Sequence, residues 1–497
     1  MVKGFSDRRL WLILLVAVSA LPMLVVSIPG AADYPNHLAR VFVFSQIGRG
    51  TALDGYFAVD WRWIGNLGVD LPALLLTPVL GAELAMRLVS ALIAPLTVAG
   101  IFMLSRSAYG RVSGSAMLAL PFALAQPLLF GFLNYCLSVG LALIVAALWN
   151  ADTRRGPLRL LCFAVGATIV WTAHIMGWAV LLILVAGAEL ASTRSRRDLA
   201  LRVLRALPLL APAIPMMFGR TNGGGRLFWS DPHVLTAKAM NFVTILKGLS
   251  MPFDLGMTAV IGIGAMLALF WAGRRKIDPR LGTGAALLLL AALVLPTTVM
   301  GSWGADLRLT SVAVMVAIMA IVPALSPSRE RALIMLGASL FLLRVGWTSL
   351  QWREADRMLS ARLKILDAVP AGGRLAFVTA GTTCRASWTL TPDRKLGAYA
   401  VVRRSSFTNT LFQIPGSDLM IIRSPADRAV WFDGSQDVAA RCPAGLPDLQ
   451  AVRQRMNRMA IAGFTGIWVA GIDREALPIL PNYHVVYTRE TDTLLLK

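Results

Sequence analysis

Charge is what this sequence is short of. Only 15% of its 497 residues are charged, where a soluble chain of this length carries roughly a quarter. Hydrophobic residues make up 56%. Apolar runs of about 17 to 20 residues recur through the first 350 positions, each long enough to cross a bilayer as a helix. Backbone groups in lipid must bond within their own helix, which leaves a helical bundle as the build. Acidic residues are scarcest: 27 against 48 Lys and Arg, a formal charge of +21. That surplus does not indicate nucleic acid, because no aromatic-interleaved basic patch accompanies it. The clusters Arg8-Arg9, Arg154-Arg155, residues 194–197 with Arg202, Arg274-Arg275-Lys276 with Arg280, and Arg329 with Arg331 all lie in short loops between apolar runs. Cytoplasmic loops of membrane proteins have this composition.

Other absences narrow the classes further. No internal repeat of the spans is visible, and few ionisable residues fall at mid-membrane depth, both features that transporters tend to show. No glycine-rich phosphate fingerprint follows the strands expected near the C-terminus, so no nucleotide site is expected there. Of the four cysteines, Cys136 and Cys162 fall within expected spans and read as small apolar packing residues. Cys384 and Cys442 both follow position 350, where an oxidising compartment would let them pair as a disulfide. Leu10–Ile28 runs through Pro29-Gly30 straight into a polar motif and reads as a retained first span, not a cleaved leader.

With the basic loops as cytoplasmic markers, spans are expected at 10–28, 84–104, 113–131, 135–150, 157–173, 176–191, 203–218, 256–273, 283–300, 309–325 and 331–349. About eleven crossings put the N-terminus in the cytoplasm and everything after 350 outside. Residues 71–83 are too short and too proline-broken for a span and are expected to lie at the interface or re-enter. The expected architecture is therefore a polytopic α-helical bundle over 1–349, with a first outer loop at 30–83, followed by a soluble extracytoplasmic α/β domain over 350–497. In that domain Arg374–Ala380, Asp418–Ile422, Gly466–Gly471 and His484–Thr488 read as buried strands, and Leu449–Ala462 as an amphipathic helix.

The first outer loop opens with Ala32-Asp33-Tyr34-Pro35-Asn36-His37-Leu38-Ala39-Arg40. A helix starting at Tyr34 places His37 and Arg40 three residues apart on one face. A carboxylate, an imidazole and a guanidinium within one turn can serve as base, hydrogen-bonding partner and phosphate clamp. The same residues also fit a plain helix start, with Asp33 as cap and Pro35 in the first turn.

This loop resembles the acidic motif of the GT-C superfamily of glycosyltransferases, and the plan around it is similar: a long first outer loop, many spans and a C-terminal outer domain. The resemblance implies transfer of a sugar from a polyprenyl-phosphate carrier to a lipid or glycan acceptor, in a bacterial inner membrane, with Asp33 as base or acceptor-positioning group. Many members carry two adjacent acidic residues at this point; here Tyr34 follows Asp33. The resemblance therefore assigns no metal ligands, and a divalent cation has no acidic pair to support it.

Further outer-face candidates are Asp60 and Asp70 for orienting an acceptor, and His174 for a donor phosphate or a neighbouring helix. Arg220 and Arg226, flanking a glycine run, and Arg308 are candidates for the phosphate. Trp61 and Trp63 suit either sugar stacking or interfacial anchoring. Asn134 reads as part of a turn, Glu83 and Arg87 as a neutralising pair, and Arg344 as a snorkelling residue near a span end. A transporter or flippase of a lipid-linked solute, and a non-catalytic assembly protein for an envelope polysaccharide, are the rival readings.

Overall fold

The computed structural model describes residues 3–152, 154, 156–218, 227–229, 233–272, 276–299, 301–322, 326–380, 388–390, 392–413, 416–424, 435–438, 440–441 and 446–497. Four helices among them are long and apolar enough to cross a membrane: Ala82–Tyr109, Leu133–Ala151, Met251–Trp271 and Pro327–Ala368. The other apolar helices are shorter, 10–17 residues, and include Pro157–Ala173, Ile175–Ala191 and Pro279–Val294. Large apolar side chains such as Leu161, Ile169, Met266 and Phe270 point outward from this part of the molecule. Such an exterior is stable in lipid and not in water, so the chain is a membrane protein.

Lipid offers helices no hydrophobic reason to associate, so contact depends on close packing of small residues. Helices Ile93–Tyr109 and Leu133–Ala151 meet at two glycines. A Cβ on Gly140 would lie 3.0 Å from the Thr97 backbone nitrogen, and one on Gly100 only 2.7 Å from Leu143 Cβ. Ile175–Ala191 and Pro279–Val294 cross in the same way, with a Cβ on Gly187 falling 2.4 Å from the Gly284 nitrogen.

Several expected spans are broken. The first runs as Lys3–Val18 and a short turn at Leu21–Leu24, after which the Ser27 and Ile28 amides donate to the Asp356 carboxylate at 3.0 and 2.9 Å. The segment expected at 113–131 divides into Gly114–Ala119, a 3-10 turn at Leu120–Leu124 and Gln126–Phe130. Pro121 and Pro127 open those segments, and a proline removes a backbone donor and blocks a continuous helix. The segment at 203–218 divides likewise around Pro208 and Pro212. Residues 70–80 form the helix Asp70–Leu80, whose Leu75 and Val79 stand largely exposed. Helix Pro327–Arg362 passes straight through position 350.

Beyond it a sheet forms in the strand order His484–Arg489, Asp492–Leu496, Gly466–Ala470, Arg374–Ala380, Phe407–Thr408, with Asp437–Val438 also pairing to Arg374–Ala380. Its central pair, Arg374–Ala380 with Gly466–Ala470, is parallel, and helix Leu449–Ile461 leads into the second of these strands. The strand expected from Asp418 forms at Met420–Ile422 but does not join this sheet. It pairs antiparallel with Phe57–Val59 of the first loop. The two regions also share a core, in which Val43, Phe44 and Phe57 pack with Val401, Phe407 and Ile422.

Candidate functional site

The breaks in the helix at 114–130 leave carbonyl groups without intrahelical donors, and the first loop uses them. The Ala32 amide donates to Leu129 O at 3.1 Å and the Asp33 amide to Phe130 O at 3.0 Å. Gly131 turns the chain at φ +101°, and a Cβ there would sit 2.6 Å from the Asp33 nitrogen. Only glycine combines that φ with that approach. Asp33 therefore hangs on the 130–132 turn by its backbone. It stands immediately before helix Tyr34–Gln46, with Pro35 in the first turn, yet its side chain makes no capping hydrogen bond. The carboxylate is not spent on starting the helix.

Arg308 comes to the same place from the first turn of helix Ala305–Met319. It is 6% exposed. Its guanidinium lies 4.0 Å from the Phe132 ring centre, and Nη1 donates to Ser302 Oγ at 2.9 Å. The Tyr135 hydroxyl fixes the backbone beneath it, donating to Arg308 O at 2.7 Å. Nε has no partner, and among the described residues Arg308 forms no ion pair. Asp33 is close enough for its charge to act on Arg308. A buried cation without a carboxylate is costly unless an anion is meant to complete it. Beside the guanidinium opens a small apolar cavity whose walls include Phe122, Pro127, Leu128, Val139 and Met315.

His174 joins this group by ending helix Pro157–Ala173 and starting Ile175–Ala191, where its Nδ1 accepts the Met176 amide at 3.1 Å. Its ring meets Tyr135 edge-on at 5.7 Å. His37 lies within electrostatic reach of both His174 and Arg308. Asp33 and His37 at the start of helix Tyr34–Gln46, His174 at a helix junction and Arg308 are thus brought near one another from three separate segments.

Arg40 and Asp70 are not open to a substrate. Arg40 Nε donates to Asp70 at 3.1 Å, Nη2 to Asp70 at 2.8 and 3.0 Å and to His37 Nδ1 at 3.0 Å, and Nη1 to Asp418. Burial alone would lower the guanidinium's pKa, but the charges of Asp70 and Asp418 raise it, and it stays charged. Asp70 also accepts from Asn134 Nδ2 at 2.8 Å, and Asn134 Oδ1 takes the Val69 amide. Both residues were expected to bind substrate. The geometry corrects this, because every nitrogen of Arg40 already faces an internal acceptor. Asn134 is likewise a buried crosslink and not a mere turn residue.

Asp60 stands apart at the surface, paired with Arg62 at 2.9 Å. Trp61 and Trp63 are exposed, the latter donating to Thr172 Oγ1 at 2.8 Å. Arg220, Arg226, Cys384 and Cys442 lie outside the described residues. Glu83 pairs with Arg403 at 3.1 Å, while Arg87 donates to Val26 O at 2.8 Å, so the two do not neutralise each other. Arg344 does not snorkel. It is fully buried on Asp254, with Nη2 donating to Leu124 O at 3.0 Å and Leu246 O at 2.8 Å. Lys238 forms a second buried pair with Asp306 at 2.8 Å, two residues before Arg308. An ionisable side chain inside an apolar run needs a partner, and that rule could have flagged Arg344 and Asp254 in the sequence. Among the described residues, no group of three or more His, Cys, Asp or Glu is placed to hold a metal ion.

No family model matches the chain, and no curated protein matches it. A solved structure does: ArnT from Cupriavidus metallidurans, crystallised with undecaprenyl phosphate, superposes over 100% of this chain and 98% of its own, with a TM-score of 0.52 and 12% identity. The likeness is one of fold, and it runs the length of both chains.

Proposed function

We propose that the chain is a membrane glycosyltransferase that moves a sugar from a polyprenyl-phosphate carrier to an extracytoplasmic acceptor. One observation carries the reading: Arg308, buried and without an ion pair among the described residues, lies beside an apolar cavity and within electrostatic reach of Asp33. A polyprenyl phosphate has the matching parts, an anionic head for the guanidinium and an apolar tail for the cavity and the surrounding helices. The undecaprenyl phosphate bound by ArnT gives the same chemistry a precedent on this fold.

The reaction is a direct displacement. Asp33 takes the proton of the acceptor hydroxyl as its oxygen bonds to the anomeric carbon. The bond from that carbon to the carrier phosphate breaks, and its electron pair leaves with the phosphate. Arg308 stabilises the charge that develops there, an electrostatic task that needs no covalent intermediate. His174, edge-on to Tyr135 and within electrostatic reach of Arg308, borders the phosphate position in this reading. In this reading the N-terminus is cytoplasmic, the membrane is the inner membrane, and residues 350–497 lie outside, over the site.

Equilibrium binding of undecaprenyl phosphate to the reconstituted protein tests the assignment. We expect Arg308→Gln to weaken binding about 10- to 100-fold, the ~1.5–3 kcal/mol of a hydrogen bond to a charged group. Equal affinity in the two proteins would remove Arg308 from the site.

A further inference from the structure

The Arg40 cluster joins both ends of the chain beside the site. Asp418 arrives from the C-terminal region, Asp70 from helix Asp70–Leu80, and Arg40 and His37 from helix Tyr34–Gln46. Phe412 closes the cluster, edge-on to His37 at 5.4 Å and 5.5 Å from the Arg40 guanidinium carbon. A guanidinium has only donors, so His37 Nδ1 facing Arg40 Nη2 must accept, and the ring proton belongs on Nε2. The ring also lies by the Gly131 backbone, and the His37 amide donates to Asp33 O at 3.3 Å. Gly131 is the turn that holds Asp33 and continues into Phe132, on which Arg308 is stacked.

We infer that Asp418, Arg40 and His37 form a positioning relay, through which docking of the C-terminal region fixes the Gly131 turn and aligns Asp33 with Arg308. The inference rests on the glycosyltransferase reading for its effect on rate, but not for its geometry. Asp418 sets the guanidinium, the guanidinium sets the imidazole, and His37 so fixed holds the Asp33 backbone against the turn at 130–132. None of the three touches substrate. The relay makes the C-terminal region part of the active site's construction without lending it a catalytic group. A misplacement of about 1 Å at a reacting group costs on the order of 100-fold in rate.

The test uses the full chain in lipid nanodiscs, with 15N-histidine labelling and the His37 signal assigned by His37→Gln. Four histidines make that spectrum tractable. In the wild type we expect His37 as the neutral Nε2–H tautomer. Asp418→Asn and the conservative Arg40→Lys should disturb that signal and lower turnover about 10- to 100-fold. Affinity for undecaprenyl phosphate should stay within about twofold, since Arg308 is untouched. A His37 proton on Nδ1 in the wild type overturns the relay whether or not either variant folds. So does an unchanged His37 signal with unchanged turnover in folded Asp418→Asn. A lowered affinity at full turnover would also overturn it, by making Arg40 a binding group. Should the wild type bind no undecaprenyl phosphate, the functional reading falls, while the tautomer still decides the relay.

Discussion

Asp33 at the start of a helix would ordinarily be a cap, and replacing such a residue costs about 1 kcal/mol. Here the side chain does not cap, so Asp33→Asn should leave thermal stability within about 0.5 kcal/mol of wild type. A larger loss would show that the carboxylate is structural after all. Arg344 presents the opposite case, a buried charge held by Asp254 and two carbonyl oxygens. Arg344→Met alone should destabilise by ~3–5 kcal/mol, and the double replacement with Asp254→Leu should recover much of it. Denaturation of the three proteins in one detergent decides this. His37 carries a pH signature. Burial first, then Arg40, with His174 and Arg308 also facing it, holds its pKa well below the ordinary 6.5. Above that value the ring is neutral both folded and unfolded, and its contribution is complete. As pH falls below it the unfolded chain takes the proton first, and stability is lost. The fall in Tm between about pH 6.5 and 5 should therefore be shallower in His37→Gln. The sequence singled out Asp33, His37, His174 and Arg308 as candidates, which the structure brings near one another. It could not reveal that Arg40 is consumed, because its partners Asp70 and Asp418 lie 30 and 378 positions away.

Among the elements, hydrophobic length located the apolar segments well and their continuity poorly. Residues 113–131 and 203–218 are apolar enough to span, but Pro121, Pro127, Pro208 and Pro212 break them into turns. The breaks at 120–131 have a use, since the carbonyls they free hold Arg344 on one side and the Ala32 and Asp33 amides on the other. Helix pairing was not legible either, because a glycine in an apolar run has many possible neighbours. With the contacts known, Gly187→Leu should cost ~1–3 kcal/mol by forcing Ile175–Ala191 away from Pro279–Val294, and Gly140→Leu a similar amount. Melting temperatures of the two variants against a lipid-facing control such as Gly262→Leu, where a Cβ meets nothing within 4 Å, check both.

For the whole molecule, the change in composition near residue 350 falls inside helix Pro327–Arg362, and the strand read at Arg374–Ala380 forms beyond it, buried as expected. What composition could not convey is that the boundary is crossed repeatedly. Met420–Ile422 pairs with Phe57–Val59, Asp418 binds Arg40, and Trp388 Nε1 donates to Asp254 at 2.7 Å. A soluble domain on a bundle would tolerate separation; this C-terminal region is built into the first loop and the helix heads. Sugar transfer by the reconstituted protein from a panel of polyprenyl-phosphate sugars, wild type beside Asp33→Asn, tests the whole scheme most directly. We expect transfer by the wild type and its loss, by at least about 100-fold, in a variant that is still folded and still binds undecaprenyl phosphate. Equal transfer by both proteins would contradict the role given to Asp33, and no transfer by either would favour a carrier of lipid-linked solutes over an enzyme.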